Sequence, residues 1–263
     1  MNRIDLKFKQ LRAAQEKAFI AFITAGDPSL QVTEELALSL EKSGVDILEL
    51  GVPFSDPLAD GPVIQAASFR ALQKGVTLRK ILALVQKIRR RSQIPIAFMT
   101  YYNPVFHYGE GRFIRDAKAS GVDGLIIPDL PAEEAGNLRA LAKKAGISLV
   151  FFLAPTTARQ RVPGIVKAAT GFVYFVSVAG VTGAKKAVPS LIARKLRSAR
   201  RLAKAPVCVG FGVSTPEQVK ALGQVADGVI VGSAIVKEIA HNAGSPDLVD
   251  RVCRFVRKLS AAL

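Results

Sequence analysis

The chain has 263 residues, 49% hydrophobic and 22% charged, with a formal net charge of +16. That composition excludes a disordered chain, and no apolar run reaches the ~20 residues of a membrane span. Two cysteines and two histidines exclude a disulfide framework and a cysteine–histidine zinc site.

The opening segment, residues 4–11, reads as a short helix ahead of the first apolar run, placed to cap one end of a barrel. Residues 18–25 are apolar and follow basic residues, which raises the question of a signal peptide. Gly26-Asp27-Pro28 follows instead of a small-residue cleavage site, so the run is expected to be a buried strand and the protein cytoplasmic.

Short apolar runs then recur at 19–24, 47–50, 95–100, 124–127, 148–153, 172–177, 207–210 and 228–231. They are apolar throughout rather than alternating, as parallel strands covered on both faces must be. Between them lie amphipathic segments, for example Leu78, Ile81, Leu82, Val85 and Ile88 on one stripe. Glycines at Ser43-Gly44, Ser120-Gly121 and Ala145-Gly146 sit where helices end in the left-handed conformation. Eight such units in about 250 residues predict α/β class, a single (β/α)8 TIM barrel over residues 1–263 with an extra N-terminal helix. A doubly wound sheet is the alternative, and it lacks a G-x-G-x-x-G after the first strand.

Basic residues concentrate at 79–91, 185–204 and 251–258. Ile192, Leu196, Ala199 and Ala203 recur at helical spacing within the second stretch, so these are read as the solvated faces of outer helices. A positive field would favour a phosphorylated substrate. Aromatic residues do not interleave with the basic ones, which argues against a nucleic-acid module. Cys208 lies in an apolar run and is read as a small buried residue rather than a catalytic thiol.

Barrel active sites lie at the C-terminal strand ends, and that rule selects residues by position. Glu49 falls at the end of the second run, among Ile47, Leu48 and Leu50. Burial there favours the protonated carboxyl, a usable acid near neutral pH; a salt bridge to a barrel lysine is the alternative. Asp60 either starts a turn before the next helix or belongs to the site. Asp56, before Pro57, reads as turn chemistry. Glycine-containing strand ends at 180–183, 210–214 and 232–233 suit an anion, with helix N-termini behind them. Residues 178–189 form either a lid over substrate or an ordinary surface loop.

These motifs together resemble the tryptophan synthase alpha chain family over essentially the full length. The resemblance rests on "FITAGDP" at 22–28, "ELGVPFSDPLADGPVIQ" at 49–65, "YYNP" at 101–104, "PDLP" at 128–131, "GVTG" at 180–183, "GFGVSTPEQV" at 210–219 and "GVIVGSAIV" at 228–236. It implies cleavage of indole-3-glycerol phosphate to indole and glyceraldehyde 3-phosphate, a carbon–carbon lyase step in tryptophan biosynthesis. It implies no metal and no cofactor on this chain. Pyridoxal phosphate is expected only on a partner beta chain, in an alpha2beta2 assembly.

Carried over by motif, Glu49 is the catalytic glutamate, Asp60 the catalytic aspartate and Tyr174 a positioning tyrosine beside Glu49. Tyr174 also reads as a core aromatic. Phe22, Thr182 and Phe211 would contact substrate. Gly183, Gly212, Gly232 and Ser233 would cradle the phosphate. Pro53 and Asp56 would lie in a loop facing the beta chain. Val178 departs from relatives that carry arginine ahead of the "GVTG" segment. A free-standing lyase and a non-catalytic activator subunit are the remaining alternatives; intact Glu49 and Asp60 argue against the activator.

Overall fold

The computed structural model describes residues 1–176, 188, 190–210 and 212–263. The strands are β1 (Ala18–Thr24), β2 (Ile47–Gly51), β3 (Ile96–Met99), β4 (Gly124–Ile126), β5 (Ser148–Leu153), β6 (Val173–Val176), β7 (Val207–Gly210) and β8 (Gly228–Val231). They pair parallel in chain order, and β8 returns to β1 to close the barrel. The helices are α1 (Arg3–Ala14), α2 (Leu30–Glu41), α3 (Pro62–Gln73), α4 (Leu78–Arg89), α5 (Tyr102–Tyr108) and α6 (Glu110–Ser120). They continue as α7 (Gly136–Ala145), α8 (Val162–Ala168), α9 (Ser190–Leu202), α10 (Pro216–Gly223), α11 (Ser233–His241) and α12 (Leu248–Ser260).

The expected strands match closely, with one instructive trim. The third begins at Ile96 rather than Pro95, because proline has no N–H to give the ladder. Its carbonyl still accepts the Leu48 N–H at 2.9 Å. Ser177, expected in the sixth strand, lies outside the described residues.

Each strand sends alternate side chains inward and outward. Outward residues such as Ile23, Leu48, Phe98 and Val229 pack under the helices. Inward residues, including Ile20, Ile47, Ala97, Val150, Phe172 and Cys208, fill the barrel. Helix α1 adds Ile4, Phe8 and Leu11 to that inner cluster. It therefore forms the barrel floor, as its amphipathic position predicted. The helix is longer than the expected 4–11: a reciprocal capping box of Asn2 and Asp5 starts it at Arg3, and it runs on to Ala14, where Gln15 ends it in the left-handed conformation. A Cβ on Gly124 would stand 2.8 Å from the Ile4 side chain, so the missing side chain there lets the floor seat.

The basic stretches behave mostly as solvated faces, with Arg89 an exception, largely buried and paired with Asp123 at 2.8 Å. Arg194, Arg197 and Arg201 are exposed on α9, while Ile192, Leu196 and Ala199 are buried. On α12, Arg251, Arg254 and Arg257 are exposed around Val252 and Val256. Among the described residues, no helix is long and apolar enough to cross a membrane.

Candidate active site

A cavity of about 320 Å³ opens at the C-terminal end of the barrel. Its lining includes Phe22 from β1, Glu49 from β2, Met99 from β3, Tyr174 from β6 and Ile230 from β8. The loop before α3 adds Ala59 and Asp60, and the ends of β7 and β8 add Gly212, Gly232 and Ser233. Seven expected positions (Phe22, Glu49, Asp60, Tyr174, Gly212, Gly232 and Ser233) thus share one chamber.

Glu49 is inward by strand parity, opposite Phe22 in the β1–β2 register and Ala97 in the β2–β3 register. It is fully buried. Neither carboxylate oxygen has a hydrogen-bond partner among the described residues, so the alternative of a salt bridge to a barrel lysine is not realised there. Burial alone pushes its carboxyl up to about 8. A carboxyl in that state carries its proton at neutral pH, which is what an acid needs.

Asp60 is half-buried at the end of a tight turn. Leu58 N–H donates to the Asp56 carbonyl at 2.9 Å, and Asp60 N–H donates to the Pro57 carbonyl at 3.0 Å. The Asp60 carbonyl in turn accepts from the Gln65 side chain at 2.8 Å. Burial raises the Asp60 carboxyl to about 6, with a hydrogen bond from Tyr101 pulling the other way. The two carboxylates therefore lie on either side of neutrality. Such divergence in one chamber is the pattern of an acid beside an anion.

Two close approaches shape the chamber. A Cβ on Gly51 would lie 2.6 Å from the Phe22 ring, so glycine leaves the ring its place. A Cβ on Gly210 would lie 2.9 Å from the Tyr174 hydroxyl and 2.8 Å from the Ile230 Cβ. Tyr174 is otherwise held by Phe152, with ring centroids 4.8 Å apart. Its surroundings serve both readings made from sequence: it packs as a core aromatic and it also lines the cavity. Gly210→Ala should leave the barrel folded and reduce turnover by on the order of tenfold through displaced Tyr174. Steady-state kinetics with a far-ultraviolet spectrum checks both halves; unaltered kcat would show that the Tyr174 position does not matter.

On the opposite wall, Gly212 takes φ +68°, the left-handed region that favours glycine. Gly232 caps α11, and Ser233 is its first residue. The first N–H groups of that helix have no intrahelical acceptor, and its dipole points positive end first. An anion there needs no side-chain cation.

Not every expected residue reaches the chamber. Pro53 is buried in the chain, where it shapes the loop, while Asp56 is exposed and accepts from the Ser55 hydroxyl. Val178, Thr182, Gly183 and Phe211 lie outside the described residues, as does most of the 178–189 loop. Sequence reasoning did not single out Tyr101, Met99, Ile230, Val63 or Ile64. Tyr101 could have been found by the rule that found Glu49, since it lies two residues past the end of β3. Among the described residues, no group of three or more His, Cys, Asp or Glu side chains is gathered that could hold a metal ion.

Residues 8–263 match the family model described as tryptophan synthase alpha chain. The chain is 48% identical over 263 residues to the tryptophan synthase alpha chain of Geotalea daltonii, covering 100% of this chain and 99% of that one. It is 46% identical to that of Thermoanaerobacter sp. strain X514, with both chains covered in full. Among solved structures, tryptophan synthase subunit alpha from Legionella pneumophila superposes with a TM-score of 0.93 at 37% identity, over 100% of this chain and 98% of that one. A chain from the tryptophan synthase α2β2 complex of Pyrococcus furiosus gives a TM-score of 0.86 at 42% identity, over 92% and 97%. With barrel, chamber and full-length similarity agreeing, the chain belongs to the tryptophan synthase alpha chain family.

Proposed function

We propose that this protein is the lyase subunit of a tryptophan synthase, cleaving indole-3-glycerol phosphate to indole and glyceraldehyde 3-phosphate beside a beta chain. The observation that carries the mechanism is the pair Glu49 and Asp60 in one cavity, raised to about 8 and about 6.

The phosphate sits against Gly212, Gly232 and Ser233, at the positive end of α11. Gly183, carried over by resemblance, completes the cradle. The indole lies by Phe22, with Thr182 and Phe211 assigned to the same substrate by resemblance. Glu49 gives its proton to the indole C3 carbon. The ring becomes an indoleninium cation, with positive charge developing at nitrogen. Asp60 accepts the indole N–H and stabilises that charge. The bond from C3 to the glycerol carbon then breaks, its electrons returning to the ring. The carbon released becomes an aldehyde, and its hydroxyl proton passes to the Glu49 carboxylate. One proton leaves Glu49 and one returns, so the enzyme ends as it began. Tyr174 holds the geometry beside Glu49. These steps use side chains alone; the cofactor proposed for the assembly is pyridoxal phosphate on the beta chain. Asp56, exposed on the loop before Asp60, is proposed to face that partner, with Pro53 shaping the loop. The cell compartment is proposed to be the cytoplasm.

The test is cleavage of indole-3-glycerol phosphate with and without a purified tryptophan synthase beta chain. Strong stimulation by the partner is expected. High activity indifferent to the partner would favour a free-standing lyase, and no cleavage in either case would overturn the reading. The same assay should give a bell-shaped kcat/KM profile, rising as Asp60 ionises near 6 and falling as Glu49 loses its proton near 8. A profile still rising above pH 9 would remove Glu49 as the acid.

A further inference from the structure

Tyr101 touches the loop that carries Asp60 at three points. It follows β3 and is 5% exposed. Its hydroxyl accepts the Ala59 N–H at 2.9 Å, one residue before Asp60, and stands near enough to the Asp60 carboxylate to oppose the rise in its pKa. Its ring leans on Phe54, with centroids 5.3 Å apart and planes at 32°. The backbone beneath it is anchored as well, since the Tyr102 N–H donates to Asp129 at 2.9 Å.

Taking as its basis the reading that Asp60 works as an anion against the indole N–H, we propose that Tyr101 is a positioning residue, aiming Asp60 into the cavity and keeping it ionised. A phenol has one proton to give and two lone pairs to receive. The Ala59 N–H occupies one lone pair, which turns the proton toward Asp60. Burial, then the neighbouring Asp60 charge, hold the Tyr101 hydroxyl above its ordinary range, so it remains a donor throughout neutral pH. Of the other titratable groups around this pair, Asp129 adds negative charge near Tyr101. Glu49 and Tyr174 face the same chamber as Asp60, and neither brings a positive charge. The hydrogen bond from Tyr101 is therefore the contact that opposes the rise caused by burial of Asp60.

Tyr101→Phe tests this in the full chain saturated with a tryptophan synthase beta chain. The ring and its contact with Phe54 stay; the hydroxyl goes. The expected result is a fall in kcat on the order of tenfold, with KM within about twofold, since hydrogen bonds to charged groups are the stronger ones. The acid limb of the kcat profile should move up by roughly half to one pH unit as Asp60 becomes harder to ionise. The substrate phosphate titrates in the same range, with a second ionisation near ~6. It is common to both proteins, so the displacement between them is the readout. In an Asp60→Asn background, adding Tyr101→Phe should change kcat by less than about twofold, because coupled residues fail to add.

A variant with an unmoved acid limb, or one whose loss is undiminished in the Asp60→Asn background, overturns the proposal. That result would leave Tyr101 as loop packing only. Parental turnover in Asp60→Asn alone would instead overturn the role given to Asp60 itself, so the two failures are distinguishable.

Discussion

Glu49→Gln should abolish cleavage and, at the same time, make the protein more stable at neutral pH. The loss of turnover is expected to be roughly 10³-fold, within the span general acid–base catalysis contributes. Gln fills the same volume but has no proton to give to C3. The gain in stability follows from the burial of Glu49 without a partner among the described residues. Folding raises its carboxyl from 4.5 to about 8, so between those values the folded chain binds a proton that the unfolded chain has released. The resulting penalty is absent below about pH 4.5, grows through neutrality and levels off above about pH 8. At pH 7 it amounts to about 3 kcal/mol by linkage. Gln has no such titration. Its amide is also buried, which adds an offset that does not vary with pH. The diagnostic is therefore a slope: the melting temperature of the variant over the parent should widen from about pH 5 to about pH 8. A constant difference would mean that Glu49 is not protonated in the folded chain. Parental turnover would sink its role as the acid.

Asp60→Asn should cost on the order of 10² in kcat, the scale of removing one preorganised charge-stabilising group. Asn keeps the size and an oxygen for both Tyr101 and the indole N–H. It loses the negative charge that develops its full effect only when the ring is cationic. KM should change little, because the ground-state indole is neutral and its hydrogen bond survives. The acid limb of the pH profile should flatten to whatever the substrate phosphate contributes. Steady-state kinetics across pH 5 to 9 measures all three. An intact kcat would mean that the cation is stabilised elsewhere, and a rise in KM with kcat unchanged would mean that Asp60 only binds.

How far these residues could be read from sequence depended on what else each residue type does. Strands buried on both faces write unbroken apolar runs, so the barrel was legible almost to the residue at 148–153, 207–210 and 228–231. Glu49 stood out because a carboxylate within such a run has no ordinary reason to be there. Asp60 did not, since aspartate beside glycine and proline is also the composition of a plain turn. It does sit in a turn, and only the full motif separated it from Asp56, its near neighbour. Tyr101 was hidden for a related reason. An aromatic after an apolar strand reads as packing, and its contacts are with a loop some forty positions away in the chain. Pro53, which the motif marked as part of the partner-facing loop, is buried in the chain, so its part in that loop is to shape the backbone. The net charge of +16 has no account in the chamber, where the described ionisable lining groups are acids and a phenol.

Helix α1 gives the barrel a floor. Ile4 is fully buried and Phe8 nearly so, both joined to the inner side chains of the strands. With α1 closing one end, the chamber opens among the described residues at the C-terminal rim. Indole released beside Glu49 is barred from the floor and is turned toward the rim that carries Asp60 and, below it in sequence, Asp56. A protein docked on that rim would govern where indole goes without altering either carboxylate, and the sealed end is what would give it that authority.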